Sequence, residues 1–198
     1  MPETPARGRI LRAAFEAFTE QGYAGTSTLD IATRAKVSKR ELYALFGSKQ
    51  AILVACIATR TDRMRPPGDL PTPGDRAGLR DTLVRFGENL LREASAPPVL
   101  AMMRLGVSEA ERSPELARVL SESGRDATRA TLTTLFTEAQ TAGLVGPGDA
   151  AEIGDEYRAL LWGDLMIGLL LRVADPPTDR DIARRAAAAA DTVLRLHP

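Results

Sequence analysis

The stretch Ser27–Lys49 constrains the fold of this 198-residue chain more than any other part of it. Ser38 and Glu41 have the spacing of a capping box, in which the serine hydroxyl accepts from the backbone N–H of Glu41 and the carboxylate accepts from that of Ser38. A helix is therefore predicted to begin at Ser38. Ser27 starts a weaker version of the same signal, which predicts a preceding helix from about Thr28 to Ala35.

Two residues are left between these helices, and a short turn of this kind is typical of a helix-turn-helix motif, whose second helix enters the major groove of DNA. Apolar residues at helical spacing would close a small core between the helices: Ile31, Ala32, Ala35, Val37, Leu42, Leu45 and Phe46. The second helix would then expose Lys39, Arg40 and Tyr43 on its outer side. An ordinary helical hairpin with a solvated, charged face would show the same periodicity.

From Ile10 to Ile57 the chain resembles the DNA-binding domain of the TetR family of bacterial transcriptional repressors. The resemblance is carried by two segments, ILRAAFEAFTEQGYAGTSTLDIA and AKVSKRELYALFGSKQAI. It implies a helix-turn-helix DNA-binding domain over residues 1–48, a connecting helix and linker over 49–74, and a helical ligand-binding and dimerisation domain over 75–198. It also implies an inverted-repeat operator in double-stranded DNA, and repression as the common mode of regulation.

The resemblance assigns DNA contacts to three residues. It implies a phosphate contact from Lys49, a phosphate contact from the hydroxyl of Thr28, and a backbone or base contact from Tyr43.

Four further DNA contacts are predicted from positions around the recognition helix. Capping by Ser38 directs the free N–H groups of the helix start at phosphate or base edges. Lys39 and Arg40 follow directly, and Arg40 could bind guanine O6 and N7 with both arms of its guanidinium. Lys36 stands where the family commonly has glycine, and a left-handed lysine costs on the order of 1 kcal/mol. A phosphate contact by Lys36 could offset this cost.

The charge distribution agrees with a DNA-binding front. The net charge is zero, but residues 1–65 hold 11 Lys or Arg against 6 Asp or Glu, which leaves 15 against 20 for the remainder. Lys36, Lys39 and Lys49 are the only lysines in the sequence. Such asymmetry is expected when one end of a protein meets phosphate. Three arginines of the first helix could also reach the DNA backbone or simply be solvated: Arg7, Arg9 and Arg12.

Caps, prolines and apolar stripes predict nine helices and no strand, which makes an all-α, TetR-like fold. The first runs from a Thr4 cap to Gly22, and the fourth runs from a Ser48 cap to about Arg65, before an exposed loop over 66–74. The other helices are predicted at about 75–95, at 99–111, at 113–143 with a bend near Gly124, from an Asp149 cap to 171, and from a Thr178 cap to about 194.

Small residues on the last two predicted helices would let another helix approach closely: Gly163, Gly168 and Ala186–Ala190. The resemblance implies that these two helices pair with their two-fold mates, so that the protein is a homodimer. The alternative is that the last helix packs only on the preceding helix of its own chain.

The second half of the chain contains material for an apolar pocket between helices: Phe86, Met102, Met103, Leu132, Phe136, Trp162 and Met166. In similar regulators a small hydrophobic inducer bound there changes the angle of the fourth helix and releases DNA. Each of these side chains could equally be plain hydrophobic core. Asp164, a carboxylate within an apolar segment, is either paired with an arginine or a polar anchor for the ligand.

No cofactor, metal or enzymatic function is predicted. The only histidine is His197, and the sequence has no Cys/His metal spacing, glycine-rich phosphate loop or nucleophile motif. The one cysteine, Cys56, is expected to be buried in a reducing cytoplasm. The longest apolar run, Leu165–Leu171, is far too short to span a membrane, and the first residues do not resemble a signal peptide. The first alternative to a ligand-responsive regulator is a DNA-binding dimer that responds to no ligand. The second, which the sequence favours much less, is a helical enzyme.

Overall fold

The computed structural model describes residues 5–64, 73–111, 114, 118 and 120–198, and the account below concerns these residues. They form ten α-helices, a π-helical segment Ser121–Asp126 and no strand. The helices are α1 Pro5–Gly25, α2 Thr28–Ala35, α3 Lys39–Phe46, α4 Lys49–Met64, α5 Arg76–Ala94, α6 Pro97–Glu109, α7 Ala127–Thr141, α8 Ala150–Trp162, α9 Leu165–Leu171 and α10 Asp179–Leu196. The predicted all-α fold is confirmed.

Five of the ten helices begin at a predicted side-chain cap: Ser27, Ser38, Ser48, Asp149 and Thr178. Ser38 accepts from the backbone N–H of Glu41 at 3.0 Å, and Asp149 accepts from that of Ala151 at 2.7 Å. Thr178 forms a complete capping box with Asp181 at the start of α10. At Ser38, among the described hydrogen bonds, the structure has the serine half of the predicted box alone.

The contacts divide the chain into two compact units, Met1–Asp62 with Ala101–Ser123, and Arg63–Leu100 with Gly124–Pro198. The predicted three-part division is not tested by this packing, but the packing assigns residues 101–123 to the same unit as the helix-turn-helix. In the first unit, helices α1 to α4 bury one core, to which α6 adds Met102. On α1, Ile10 and Ala14 are fully buried in this core.

The second unit has its own core between α5, α7, α8 and α10. Tyr157 is buried there and its hydroxyl donates to the carbonyl oxygen of Leu83 at 2.7 Å. Gly87 makes this approach possible, because a Cβ at that position would lie 2.3 Å from the Tyr157 hydroxyl. On the surface of the same unit, Arg80 binds Asp191 of α10 with two hydrogen bonds.

The predicted helix over 149–171 is wrong in its middle, where the chain breaks. Gly163 ends α8 with φ 48° and ψ −125°, a backbone conformation that favours glycine, and α9 begins two residues later. The bend predicted near Gly124 corresponds to the π-helical segment, since extra residues in a turn are a usual cause of helix bending. The predicted cap at Thr4 and the predicted start at Ser113 lie outside the described residues, as does most of the loop over 66–74.

No single helix among the described residues is long and apolar enough to cross a membrane. By length and composition alone, α3 and Lys49–Thr59 taken together would be long and apolar enough to cross a membrane. The axes of these two helices, however, are bent by 64° relative to each other.

Candidate nucleic-acid interface

The turn between α2 and α3 has the left-handed residue that the resemblance implies. Lys36 is in the left-handed conformation, with φ 53° and ψ 50°, and its backbone N–H donates to the carbonyl oxygen of Thr33. The N–H of Val37 donates to the carbonyl oxygen of Ala32 at 3.0 Å, which completes a Schellman-type helix end. Two hydrogen bonds therefore hold the strained lysine in place, one donated by its own N–H and one by the N–H of the next residue.

Arg9 of α1 also secures this turn. Its Nε donates to the carbonyl oxygen of Ala35 at 3.1 Å, at the end of α2 where carbonyl groups are otherwise unpaired. A cation at the C-terminus of a helix is also favourable for the helix dipole. Arg9 therefore has a structural contact in addition to any contact with DNA.

The start of α3 projects its polar residues into solvent. Ser38, Lys39, Arg40 and Tyr43 are all exposed, while Leu42 on the opposite side of the helix is fully buried. Because Leu42 anchors the helix in the core, the exposed side chains are held on one rigid face. This is the amphipathic arrangement that the sequence predicts.

Two of the predicted DNA contacts are joined to each other. The hydroxyl of Thr28, the first residue of α2, lies 3.1 Å from the phenolic oxygen of Tyr43 on α3. The ammonium of Lys39 lies 5.9 Å from the centre of the Tyr43 ring, within the range of a cation–π contact. Three of the predicted side chains therefore form one continuous polar surface.

Lys49 is oriented differently from the other two lysines. Its ammonium donates to the carbonyl oxygens of Tyr23 at 2.7 Å and Thr26 at 3.0 Å, and lies 4.2 Å from the centre of the Tyr23 ring. Lys36 and Lys39 are exposed, whereas Lys49 is half-buried. The phosphate contact implied for Lys49 stays a prediction, and these contacts are ones that the sequence reasoning missed.

Arg34 is another basic residue whose partners the sequence reasoning missed. Its guanidinium donates to Glu20 at 2.8 Å and to Asp30 at 3.2 Å. These hydrogen bonds, with that to Glu20 the larger influence, raise the pKa of Arg34 above its ordinary value. The spacing of Asp30 and Arg34, four residues apart on a helix, is the sequence signal that could have found half of this network.

The residues predicted to bind a ligand do not all lie in one core. Phe86, Leu132 and Phe136 are buried in the core of the second unit, and Trp162 and Met166 pack half-buried against it. Met102 instead belongs to the core of the first unit, and Met103, which is half-buried, lies in the same unit. Burial in these packed cores favours the alternative of plain hydrophobic core for Leu132, Phe136 and Met102.

Among the described contacts Asp164 has no ion pair with an arginine, and its role as a polar anchor for the ligand stays a prediction. It is exposed, in the break between α8 and α9, and no ion pair or hydrogen bond of its side chain appears among the described contacts. Its apparent place within an apolar helix resulted from the expectation that 149–171 is continuous.

No group of three or more His, Cys, Asp or Glu side chains that could hold a metal ion occurs within the described part of the chain. Cys56 is buried as expected, and its thiol lies 3.4 Å from the carbonyl oxygen of Leu11.

Comparison with known proteins identifies the class to which this fold and site belong. The model of the N-terminal domain of bacterial regulatory proteins of the tetR family matches residues 10–56, and that of the C-terminal domain of AefR-like transcriptional repressors matches residues 81–197. The chain belongs to the TetR family of transcriptional regulators, with a DNA-binding helix-turn-helix domain, and members of this family are not enzymes.

Three relatives illustrate the range of similarity. The flavonoid-responsive regulator FrrA is 32% identical, with a TM-score of 0.79, over 97% of this chain and 96% of its own. A TetR regulator from Agrobacterium tumefaciens is 26% identical, with a TM-score of 0.83, over 98% and 95% of the two chains. The regulator YezE of Bacillus subtilis is 24% identical over 59% of this chain, and the match spans 61% of the length of YezE.

Proposed function

We propose that this protein is a homodimeric repressor that binds an inverted-repeat operator in double-stranded DNA and is released by a small hydrophobic inducer. The observation that carries the proposal is the exposed polar face of α3, held rigid by the buried Leu42 and joined to α2 through Thr28. Family membership supports DNA binding and dimer formation as such. Because its target is the bacterial chromosome, the protein would act in the cytoplasm.

Each exposed side chain has a distinct role in the proposed complex. Arg40 binds a guanine edge in the major groove, because its planar guanidinium matches O6 and N7. Lys39 binds a neighbouring base or phosphate, and the capped N-terminus at Ser38 presents backbone N–H groups to the DNA backbone. Thr28, Tyr43 and Lys36 bind phosphate, which positions the helix without reading sequence.

Exposed apolar side chains near the end of the chain support the homodimer. Ile167, Leu171 and Val173 are 57%, 66% and 78% exposed in the isolated chain, although all three are large and hydrophobic. Leu160 of α8 and Leu196 of α10 are exposed as well. Clustered apolar residues in contact with water usually mark a protein interface. A second copy of this chain is the proposed partner, through α8, α9 and α10.

Two-fold symmetry then determines the form of the operator. A dimer presents two copies of α3, so the half-sites are inverted and lie about 34 to 36 Å, or a multiple of this, apart.

Replacing Ile167 with glutamate tests the dimer. A charge in an apolar interface should convert the protein to a monomer and lower the affinity for the full operator, with half-site binding retained. Val107→Glu is the matched control, because Val107 is 70% exposed but lies in the other unit. Sedimentation equilibrium of both variants decides the question, and an Ile167→Glu dimer as tight as the wild type would contradict the proposed interface.

Two observations suggest the class of inducer: the apolar side chains around the core of the second unit, and the ligand class of one relative. Trp162 and Met166 are half-buried against the core that contains Phe86, so these aromatic and flexible side chains would face an apolar molecule. FrrA responds to flavonoids, and this chain shares 32% of its residues with FrrA over almost its full length. Flavonoids therefore head the panel of candidate inducers.

The central experiment isolates genomic fragments bound by the full-length protein and defines the protected sequence by footprinting. An inverted repeat is expected, and release of that DNA by a flavonoid or another hydrophobic compound is the second expected result. DNA binding that no compound in the panel weakens would support a ligand-independent dimer instead. A protein that retains no DNA above a matched random pool would contradict the proposal as a whole.

A further inference from the structure

The ammonium group of Lys49 contacts the end of α1 and the turn that follows it. Lys49 is the first residue of α4, yet its Nζ reaches back to the carbonyl oxygens of Tyr23 and Thr26, at 2.7 and 3.0 Å. The same atom lies 4.2 Å from the centre of the Tyr23 ring. All three contacts lie within one compact unit of the chain.

These contacts occupy most of the hydrogen-bonding capacity of the lysine ammonium. An ammonium group has three N–H donors and no acceptor, so two carbonyl oxygens take two donors and the third side faces the negative face of an aromatic ring. The Tyr23 ring is itself held against Phe18 of the core, with 5.6 Å between ring centres. A phosphate contact by this ammonium would require at least one of these partners to be given up.

Thr26, on the other side of this contact, is also held at two points. Its side chain is buried, and its hydroxyl lies 3.0 Å from the carbonyl oxygen of Ala17 and 2.7 Å from that of Gly22. Its carbonyl oxygen accepts from Lys49. Thr28, which forms the hydroxyl pair on the DNA-binding face, is only two residues further along the chain. The turn that Lys49 holds therefore leads directly into the residue that carries this pair.

We infer that Lys49 is a positioning residue, whose ammonium fixes the α1–α2 turn against the start of α4 and so places the Thr28–Tyr43 pair for DNA, without itself binding phosphate. The inference rests on the proposed DNA-binding function. It assigns Lys49 a role different from that of Lys36 and Lys39, whose exposed side chains are free to approach DNA.

Because the chain has three lysines, amine labelling of the wild-type protein tests the first part without any mutation. In the absence of DNA, reductive methylation followed by mass spectrometry should modify Lys36 and Lys39 at least about ten-fold faster than Lys49, because an amine held by two hydrogen bonds and a ring contact must first be released. Adding DNA should protect Lys36 and Lys39 and leave the rate at Lys49 unchanged. Labelling of Lys49 as fast as that of Lys36 would overturn the inference, whatever the variants do.

The salt dependence of DNA binding tests the second part. Lys49→Met keeps the aliphatic stem and removes the ammonium, and Lys36→Met is the matched control at an exposed lysine. Each phosphate contact adds about 0.9 to the slope of log K against log salt, so Lys36→Met should lower the slope of the dimer complex by about 1.8. Lys49→Met should lower affinity about ten-fold for each subunit, the size of one charge-assisted hydrogen bond, with an unchanged slope.

The outcomes separate this inference from the proposed function. The probe is a duplex recovered by genomic selection with the full-length wild-type protein, so failure to recover any such duplex is a failure of the proposed function. If the wild type binds the duplex and Lys49→Met loses slope as Lys36→Met does, Lys49 binds phosphate and the inference is wrong. It is equally wrong if folded Lys49→Met protein binds DNA as tightly as the wild type.

Discussion

The hydroxyl oxygen of Thr28 lies 3.1 Å from the phenolic oxygen of Tyr43, which joins the first residue of α2 to the middle of α3. In a pair of hydroxyl groups one donates to the other, and the second is left with a free donor. A single phosphate oxygen could accept that donor. Thr28 and Tyr43 would then act on DNA as one unit and not as two independent contacts.

A double-mutant cycle tests this coupling. Thr28→Val and Tyr43→Phe should each weaken DNA binding by about 1 kcal/mol, because each removes one hydroxyl of the pair. The double variant should be little worse than either single variant, since the second hydroxyl is of small value without the first. Fluorescence anisotropy with the selected operator measures all four affinities.

Thr33→Val is the matched control for this cycle. Thr33 lies on the same helix, and its hydroxyl donates to the carbonyl oxygen of Leu29 at 2.9 Å, so the same substitution there should leave DNA affinity unchanged. Strictly additive effects of Thr28→Val and Tyr43→Phe would show that the two hydroxyl groups contact DNA separately.

Arg40 should determine sequence preference and not general affinity. Arg40→Ala is expected to cost about 1 to 3 kcal/mol on the selected operator and almost nothing on a variant operator changed at the guanine pair that Arg40 reads. Binding to a set of duplexes with single base-pair changes measures this loss of discrimination. Arg85→Ala, at an exposed arginine of the second unit, is the control. An Arg40→Ala protein with unaltered preference at every position would remove Arg40 from the reading surface.

Lys36 should show opposite effects on stability and on DNA binding. Its backbone has φ 53°, so Lys36→Gly relieves a strained conformation and should raise the free energy of unfolding by about 1 kcal/mol. The same change removes an exposed ammonium and should weaken DNA binding. Urea unfolding and operator titration of one protein preparation measure both effects.

Arg172→Gly calibrates the stability effect, because Arg172 is the second non-glycine residue with positive φ among those described, at 60°. A similar gain at both positions would attribute the stabilisation to the backbone. A Lys36→Gly variant that is no more stable than the wild type would mean that the lysine side chain offsets the strain through contacts of its own.

The sequence predicted those parts of the fold that depend on local chemistry. Ser27, Ser38, Asp149 and Thr178 each cap the helix that follows them, because a cap needs only a backbone N–H two or three residues away. The left-handed conformation of Lys36 was implied by the resemblance, because the family commonly has glycine at this position.

The features that the sequence did not predict depend on residues far apart in the chain. The carbonyl groups that hold Lys49 are 23 and 26 residues away, and nothing in the spacing indicates them. The break at Gly163 was hidden because apolar residues continue on both sides of it. The residues predicted to line the pocket share only an apolar or aromatic side chain. Residue type alone does not distinguish a packed core from the wall of a binding site.

Tyr157 should make the second unit sensitive to alkaline pH. Burial, which disfavours the charged phenolate, raises the pKa of Tyr157 above its ordinary value of 10.0. Below pH 10 the phenol is neutral in both states, whereas above it the unfolded chain loses the proton first. Stability should therefore fall as the pH rises above about 10. Urea unfolding between pH 8 and 11 should show this loss in the wild type and in Tyr43→Phe, and a smaller loss in Tyr157→Phe.

Gly87 is the position at which a single methyl group should be most harmful to that unit. An added Cβ would lie 2.3 Å from the Tyr157 hydroxyl, 3.1 Å from Leu161 and 3.2 Å from Ala186. Gly87→Ala should therefore destabilise the protein by about 1 to 3 kcal/mol, the usual cost of overpacking a core. Gly124→Ala is the control, because an added Cβ there meets nothing within 4 Å. Thermal unfolding compares the two variants.

The double variant Gly87→Ala with Tyr157→Phe identifies the clash responsible. Tyr157→Phe alone should cost about 1 kcal/mol, because the carbonyl oxygen of Leu83 loses the hydrogen bond from Tyr157. In the double variant the missing hydroxyl leaves room for the new methyl group, so the combined loss should be smaller than the sum of the two single losses. The rescue should be partial, because Leu161 and Ala186 still crowd the added carbon. A combined loss equal to the sum would mean that the Tyr157 hydroxyl is not what requires glycine at position 87.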